Sequence, residues 1–237
     1  MAFECVSRTN VGLRRKVNED SILVRTERGL WAVADGMGGH EAGDVASGMV
    51  AEALQRLPVV YGLEQLVEAA IEELRRVNRE LIELARTGGH ERTIGTTVVA
   101  LAIADGHFHC FWAGDSRAYR VRDGQIRRIS RDHSLVQDLV DAGMLAADEA
   151  ERHVNANVIT RAVGVAEDLD VDSSTGDALP GDLFLLASDG LTRLVDDQEI
   201  LVQLATSTPD EAADTLIDMV LARGAPDNVS LIITRVA

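Results

Sequence analysis

The stretch Leu30 to Gly43, LWAVADGMGGHEAG, constrains this chain more than any other. A run dominated by apolar side chains delivers Asp35, and Gly36, Met37, Gly38 and Gly39 follow before a helix-like pattern begins. An Asp-Gly pair usually marks a hairpin turn. The chain holds two such hairpins as controls: Asp105-Gly106 lies between VVALAIA and HFHCFWA, and Asp123-Gly124 between AYRVR and QIRRI, with strand-like residues resuming each time. After Asp35 no strand resumes. Val45, Ala46, Met49, Val50, Ala53 and Leu54 instead recur at helical spacing. LFLLASDGL repeats the arrangement at Asp189-Gly190. Two strands that end in Asp-Gly without turning back suggest paired carboxylates at the ends of a sheet, and hard cations take such oxygen ligands.

The totals bound what surrounds that edge. With 237 residues, 46% of them hydrophobic, the chain fills one good core or two small ones, and a single domain over 1–237 is expected. No stretch approaches the roughly 20 apolar residues of a membrane helix. The N-terminus lacks the charged-then-apolar order of a signal peptide, so a cytoplasmic protein is expected. Cys5 and Cys110 make neither a disulfide framework nor a zinc site. A net charge of −16 argues against nucleic acid or an anionic membrane as main partner, but not against a divalent cation.

Along the chain, Phe3 to Asn10 reads as a strand, and Ser21 to Arg25 pairs with Leu30 to Ala34 through Glu27-Arg28-Gly29. Between them VGLRRKVNED sets Arg14, Arg15 and Lys16 before Glu19 and Asp20, which fits either a solvated loop or an anion site beside a metal-binding acid. Leu63 to Ala85 carries one apolar stripe, a core-packing helix ended by Gly88-Gly89. A long antiparallel meander is expected from Ile94 to Ile129. Within it Gly114-Asp115-Ser116 fits either a third turn or a bend presenting Asp115, and the arginines between Arg117 and Arg131 are expected on a hairpin's solvent face. Ser130 to Gly164 reads as a mobile insertion with short helices at Leu135–Leu139 and Ala146–Arg152. Its His133 and His153 fit loop hydrogen-bonders better than ligands. A strand from Leu183 reaches Asp189, and Thr208, Pro209 and Glu211 cap the last helix, with Gly224 and Pro226 past its end. Asp227-Asn228 then leads into a final strand, Val229 to Val236. The mixture of hairpins and covering helices points to α+β with antiparallel sheets.

Taken in order, these pieces resemble the type 2C, metal-dependent serine/threonine protein phosphatases in their bacterial form. The resemblance rests on RKVNED (15–20), ADGMGGHEAGDVAS (34–47), GTT (95–97), AGDSRAY (113–119), DHSLV (132–136), NVITRAVG (157–164), LLASDGL (185–191) and APDNVSLI (225–232). It implies a four-layer α-β-β-α sandwich of two antiparallel sheets flanked by helices, with a flap subdomain at about 130–164. It implies a site in which Asp35 bridges two Mn²⁺ or Mg²⁺ ions, the Gly36 carbonyl binds one of them, and Asp189 and Asp227 complete the second. Glu19 and Asp20 would act through bound waters, and Asp115 with Asp189 would hold a third, weaker ion. Arg15, four residues before Glu19, matches the phosphate-binding arginine, and Asn228 would orient Asp227. The implied reaction is hydrolysis of phosphoserine and phosphothreonine on proteins by hydroxide bridging the ions. The implied partners are phosphoproteins and a cognate bacterial serine/threonine kinase, the enzyme acting as a monomer. Met37 stands where animal members carry a histidine proposed as general acid; His40 is near in sequence, and a metal-bound water would serve equally. A two-metal phosphodiesterase or nuclease, and a noncatalytic phosphoprotein-binding relative, are the competing readings.

Overall fold

The computed structural model describes residues 1–38, 42–87, 93–150 and 153–237. Strands β1 (Phe3–Asn10), β2 (Asp20–Arg25) and β3 (Leu30–Met37) lead into helices α1 (Gly43–Gln55) and α2 (Leu63–Thr87). Strands β4 (Gly95–Thr96), β5 (Val98–Ala104), β6 (His107–Ala113), β7 (Arg117–Arg122) and β8 (Gln125–Arg128) follow, then helix α3 (Leu135–Asp141). The chain closes with β9 (Asp172–Asp177), β10 (Leu183–Ala187), α4 (Asp189–Thr192), α5 (Asp197–Thr206), α6 (Pro209–Ala222) and β11 (Val229–Val236).

Alternation along the strands builds the layers. In β3, Leu30, Ala32 and Ala34 pack with α1 and α2, whereas Trp31 and Val33 enter a second interior. In β10, Leu183, Leu185 and Ala187 pack with α5 and α6, whereas Phe184 and Leu186 meet Trp31 and Val33 in that shared interior. Strands buried on both faces must be apolar on both, which is why they read as continuous hydrophobic runs. One sheet has the order β1-β11-β10-β7-β8, the other β2-β3-β5-β6-β9, with β4 on the end of β3. Every pairing between named strands is antiparallel. The four-layer sandwich expected from the resemblance is the observed architecture.

Both control hairpins form, with Asp105-Gly106 and Asp123-Gly124 at positive φ as a type I′ turn requires. The bounds of β1 and β11 are those expected, and Thr208, Pro209 and Glu211 form the capping box of α6. Cys5 and Cys110 are free thiols.

Several expectations need correction. The meander does not stay in one sheet: β5 and β6 belong to one, β7 and β8 to the other. The crossing is at Gly114, whose φ of 123° and a Cβ position only 2.5 Å from the Thr97 side chain leave room for glycine alone. Gly114-Asp115-Ser116 is therefore a bend and not a third turn. β3 runs past Ala34 to Met37, because Gly36 and Met37 find partners in Thr96 and Gly95. Arg117 and Arg128 leave the solvent face and turn onto buried Asp132, Arg117 at 2.8 Å. Strand β9 and helix α5 were not expected. The Gly88-Gly89 stop, His40 and the end of the Ala146–Arg152 helix lie outside the described residues; Ala147 to Glu149 form a turn.

Candidate active site

Both sheets deliver acids to one end of the sandwich. Asp20 opens β2 directly opposite Asp35 in β3. From the other sheet, Asp189 follows β10 as the first residue of α4, and Asp227 stands just ahead of β11. Asp115 lies on the bend between the layers. Arg15, Glu19, Asp35, Gly36, Asp189 and Asp227 line a common cleft of about 480 Å³, with Met37, Thr97, Asn157 and Arg193. A local pattern at each strand end thus becomes one cluster through the stacking of the sheets.

Each acid is held by its surroundings. The Asp35 backbone is fixed on both sides, its N–H donating to the Thr97 hydroxyl (3.1 Å) and its carbonyl accepting from the Thr97 N–H (2.8 Å). The Gly36 N–H donates to the Glu19 carbonyl at 3.0 Å. A Cβ on Gly36 would lie 2.0 Å from the Gly43 carbonyl oxygen, so the start of α1 closes on this point only because the residue is glycine. Ser188 ties the sheets together: its hydroxyl donates to Asp20 (2.9 Å) and accepts from the Ser230 N–H (2.9 Å). Asn228, 3% exposed, accepts the Glu19 N–H (2.8 Å) and donates to the carbonyls of Val11 (2.9 Å) and Val17 (3.0 Å). The link to Asp227 expected of Asn228 is made by its backbone, whose N–H donates to Asp227 at 2.9 Å, while its side chain secures the Val11–Glu19 loop.

So many acids in little water repel one another. Burial first, and then Asp189, Asp20, Asp115 and Asp227, push the Asp35 carboxyl well above the usual range. Burial raises Asp20 to about 6 against hydrogen bonds from Ser230 and Ser188. Burial, reinforced by Asp189 and opposed by Arg193, raises Asp115 to about 7. Asp189 and Glu19 are raised as well, chiefly by burial. Two cations answer this charge. Arg15 donates to Asp227 at 2.8 Å and approaches Glu19 at 3.8 Å. Arg193 meets Asp189 at 2.7 Å and Asp115 at 3.2 Å.

The donor set fits two hard divalent ions. It is all oxygen, it is overcharged, and Oδ1 of Asp20 is buried without a hydrogen-bond partner among the described residues. Among those residues no three carboxylates are already drawn round one point at ligating distance. A third ion between Asp115 and Asp189 does not fit in the same way, because the Arg193 guanidinium already takes both carboxylates.

The two histidines lie apart from the acids. His133, 2% exposed, accepts the Gly114 N–H on Nδ1 (3.1 Å) and bonds Asp172 through Nε2 (3.1 Å). His153 accepts the Asn155 N–H in a local turn (3.1 Å). Arg193, Asn157, Ser188 and Thr97 carry site contacts that sequence reading did not assign; Thr97, Asn157 and Ser188 stood inside the motifs that carry the resemblance, and Arg193 had only its place four residues after Asp189.

The sandwich and its shared carboxylate edge are those of a known class: the family model for Protein phosphatase 2C matches residues 10–229, and the chain belongs to that family. It is similar to the serine/threonine protein phosphatase PstP of Mycobacterium tuberculosis, 35% identical over 236 residues, covering all of this chain. It spans 45% of the length of that relative. Among solved structures it resembles PppA from Pseudomonas aeruginosa, 43% identical with a TM-score of 0.92, covering 99% of this chain and 98% of that one. The catalytic domain of PstP in complex with two manganese ions superposes with a TM-score of 0.87 at 34% identity, covering 99% of each chain.

Proposed function

We propose that this chain hydrolyses phosphoserine and phosphothreonine on proteins, with two Mn²⁺ or Mg²⁺ ions as cofactors, and opposes a bacterial serine/threonine kinase in the cytoplasm. The observation that carries this is the gathering of Asp20, Asp35, Asp189 and Asp227 from two sheets beside a half-exposed arginine. Names of the relatives and the manganese held by one of them support it.

Asp35 would bridge the ions with the Gly36 carbonyl on one, Asp189 and Asp227 would complete the second, and Glu19 and Asp20 would hold the pair through waters. When bound, two such ions ionise a shared water near neutral pH, as the attacking group, and offset charge on the phosphoryl oxygens. The protein's own groups do the rest. Arg15 sits at the cleft mouth with its side chain 47% exposed, bonded to Asp227. Its guanidinium can swing to a phosphoryl group and donate two parallel hydrogen bonds. Asn228 and Ser188 fix the loop and strand that bring Glu19 and Asp20 to the cleft. Segment 130–164 acts as a flap: the bridge Ser134↔Ile159 closes its neck, and Asn157 and Ile159 enter the cleft lining, where a phosphoprotein would lie. Residues 1–237 form a single catalytic domain in this reading, acting as a monomer.

Manganese-dependent phosphate release from a phosphothreonine peptide, lost in Asp35→Asn, tests the assignment. Release from a nucleic-acid diester but not from the peptide would favour a nuclease, no release from either a binding module, and release that persists in Asp35→Asn would put the chemistry elsewhere.

A further inference from the structure

We infer that Arg193 is the resident cation of the Asp115–Asp189 pair, so that the protein binds two divalent ions and not three. This rests on the two-ion reading above. Asp115 is 5% exposed, and its Oδ2 receives Arg193 Nη2 at 3.2 Å; the same nitrogen lies 2.7 Å from Asp189 Oδ2. A guanidinium therefore occupies the place between the two carboxylates that a cation would use.

Its position is built into the fold. Arg193 caps the C-terminal end of α4, its N–H donates to the Asp189 carbonyl at 2.9 Å, and one helical turn brings its side chain back over the Asp189 carboxylate. Nη1 donates to the Asn157 side chain of the 130–164 segment, so the guanidinium is held from three directions. Arg193 is also 32% exposed, against 47% for Arg15, which hangs on a loop with its closest contact to a single carboxylate. Asn157, Asp189 and Arg193 line both the 480 Å³ catalytic cleft and a neighbouring cavity of about 490 Å³ under α3, so Arg193 forms the wall between them. A divalent ion entering that wall would meet a fixed positive charge at close range. It would find one oxygen of each carboxylate held by Arg193, and Asp189 already shared with the second proposed ion, although Asp115 Oδ1 has no partner among the described residues and offers one oxygen.

Removing the guanidinium should open the site. Chelator-stripped wild-type chain, titrated with Mn²⁺ by calorimetry and with free Mn²⁺ counted by electron paramagnetic resonance, is expected to take up two ions. Arg193→Ala is expected to gain a third, weaker ion that Asp115→Asn in the same background removes, while Asp115→Asn alone leaves the wild-type count at two. Arg193→Gln, which removes the positive charge but keeps a polar side chain, serves if the alanine variant does not fold. Three ions in the wild type, or two in the folded Arg193 variants, overturn the inference and leave the two-ion reading standing. One ion or none in the wild type removes the two-ion reading and this inference with it.

Discussion

Arg15 and Arg193 are the same residue type held in two different ways within one cleft. Arg193 is fixed by a helical turn and by Asn157, whereas Arg15 has solvent on one side and an acid on the other. Only the second can exchange its partner for a phosphoryl group at small cost. Lysine would keep the charge of Arg15 but lose the planar fork. Arg15→Lys is therefore expected to lower kcat/KM for a phosphopeptide about tenfold, about 1.4 kcal/mol of transition-state stabilisation, with Mn²⁺ affinity little changed in a binding titration. An unchanged kcat/KM would remove Arg15 from substrate contact. Arg15 was legible from sequence by its place four residues before Glu19, within a family motif. Arg193 offered only its spacing from Asp189, because its contact with Asp115 forms only after the chain has crossed between sheets.

At the scale of elements, what periodicity carries was readable and what pairing carries was not. β1, β11 and α6 had the expected bounds because alternation and a capping box are local signals. β9, SerSerThrGly within Asp172–Asp177, is an edge strand with alternate residues in water, and its polarity hid it. Helix α5 carried a capping box, Asp196 with Glu199, that was there to be read. The split of the meander at Gly114 was invisible, since a turn and a crossover both ask for Gly-Asp-Ser; which one forms is decided by Thr97 packing under the glycine. The segment 130–164, proposed above as a flap, also belongs to this scale. The single bridge Ser134↔Ile159 joins its two ends, and His133 pins it to Gly114 and Asp172. Transplanting residues 135–158 into another family member should therefore change which phosphoprotein is preferred while hydrolysis of a small aryl phosphate stays within about threefold, under 1 kcal/mol. Unchanged preference in such a chimera would take substrate selection away from the flap.

Over the whole molecule, the gathered acids set a link between pH and stability that bound metal would change. Asp20 at about 6 and Asp115 at about 7 hold protons that the unfolded chain, with carboxyls near ~4, has already released. Between those values the folded state binds more protons than the unfolded one, so the metal-free protein loses stability as pH rises through that window. Asp172 and Asp182 work in the opposite sense but outside it: burial raises each, yet His133 and Arg161 at one and Arg122 and the Leu179 N–H at the other outweigh it and pull the pKa down, so their contribution is lost only below the unfolded value. In the proposed function, divalent ions would replace the protons on the cleft acids. The rise in Tm on adding Mn²⁺ should therefore be larger near neutral pH than near pH ~5, with about 2.7 kcal/mol gained at a hundredfold excess over Kd. Calorimetric scans at the two pH values, with and without Mn²⁺, check this; a larger rise on the acid side would mean that other groups govern metal uptake. No described helix is long and apolar enough to cross a membrane.

The most direct test is anomalous diffraction from crystals soaked in manganese. Two peaks about 3.5–4 Å apart are expected, with the Asp35 carboxylate between them and Asp189 and Asp227 on one. Crystals that show no peak beside these three residues would contradict the metal centre and the proposed chemistry together.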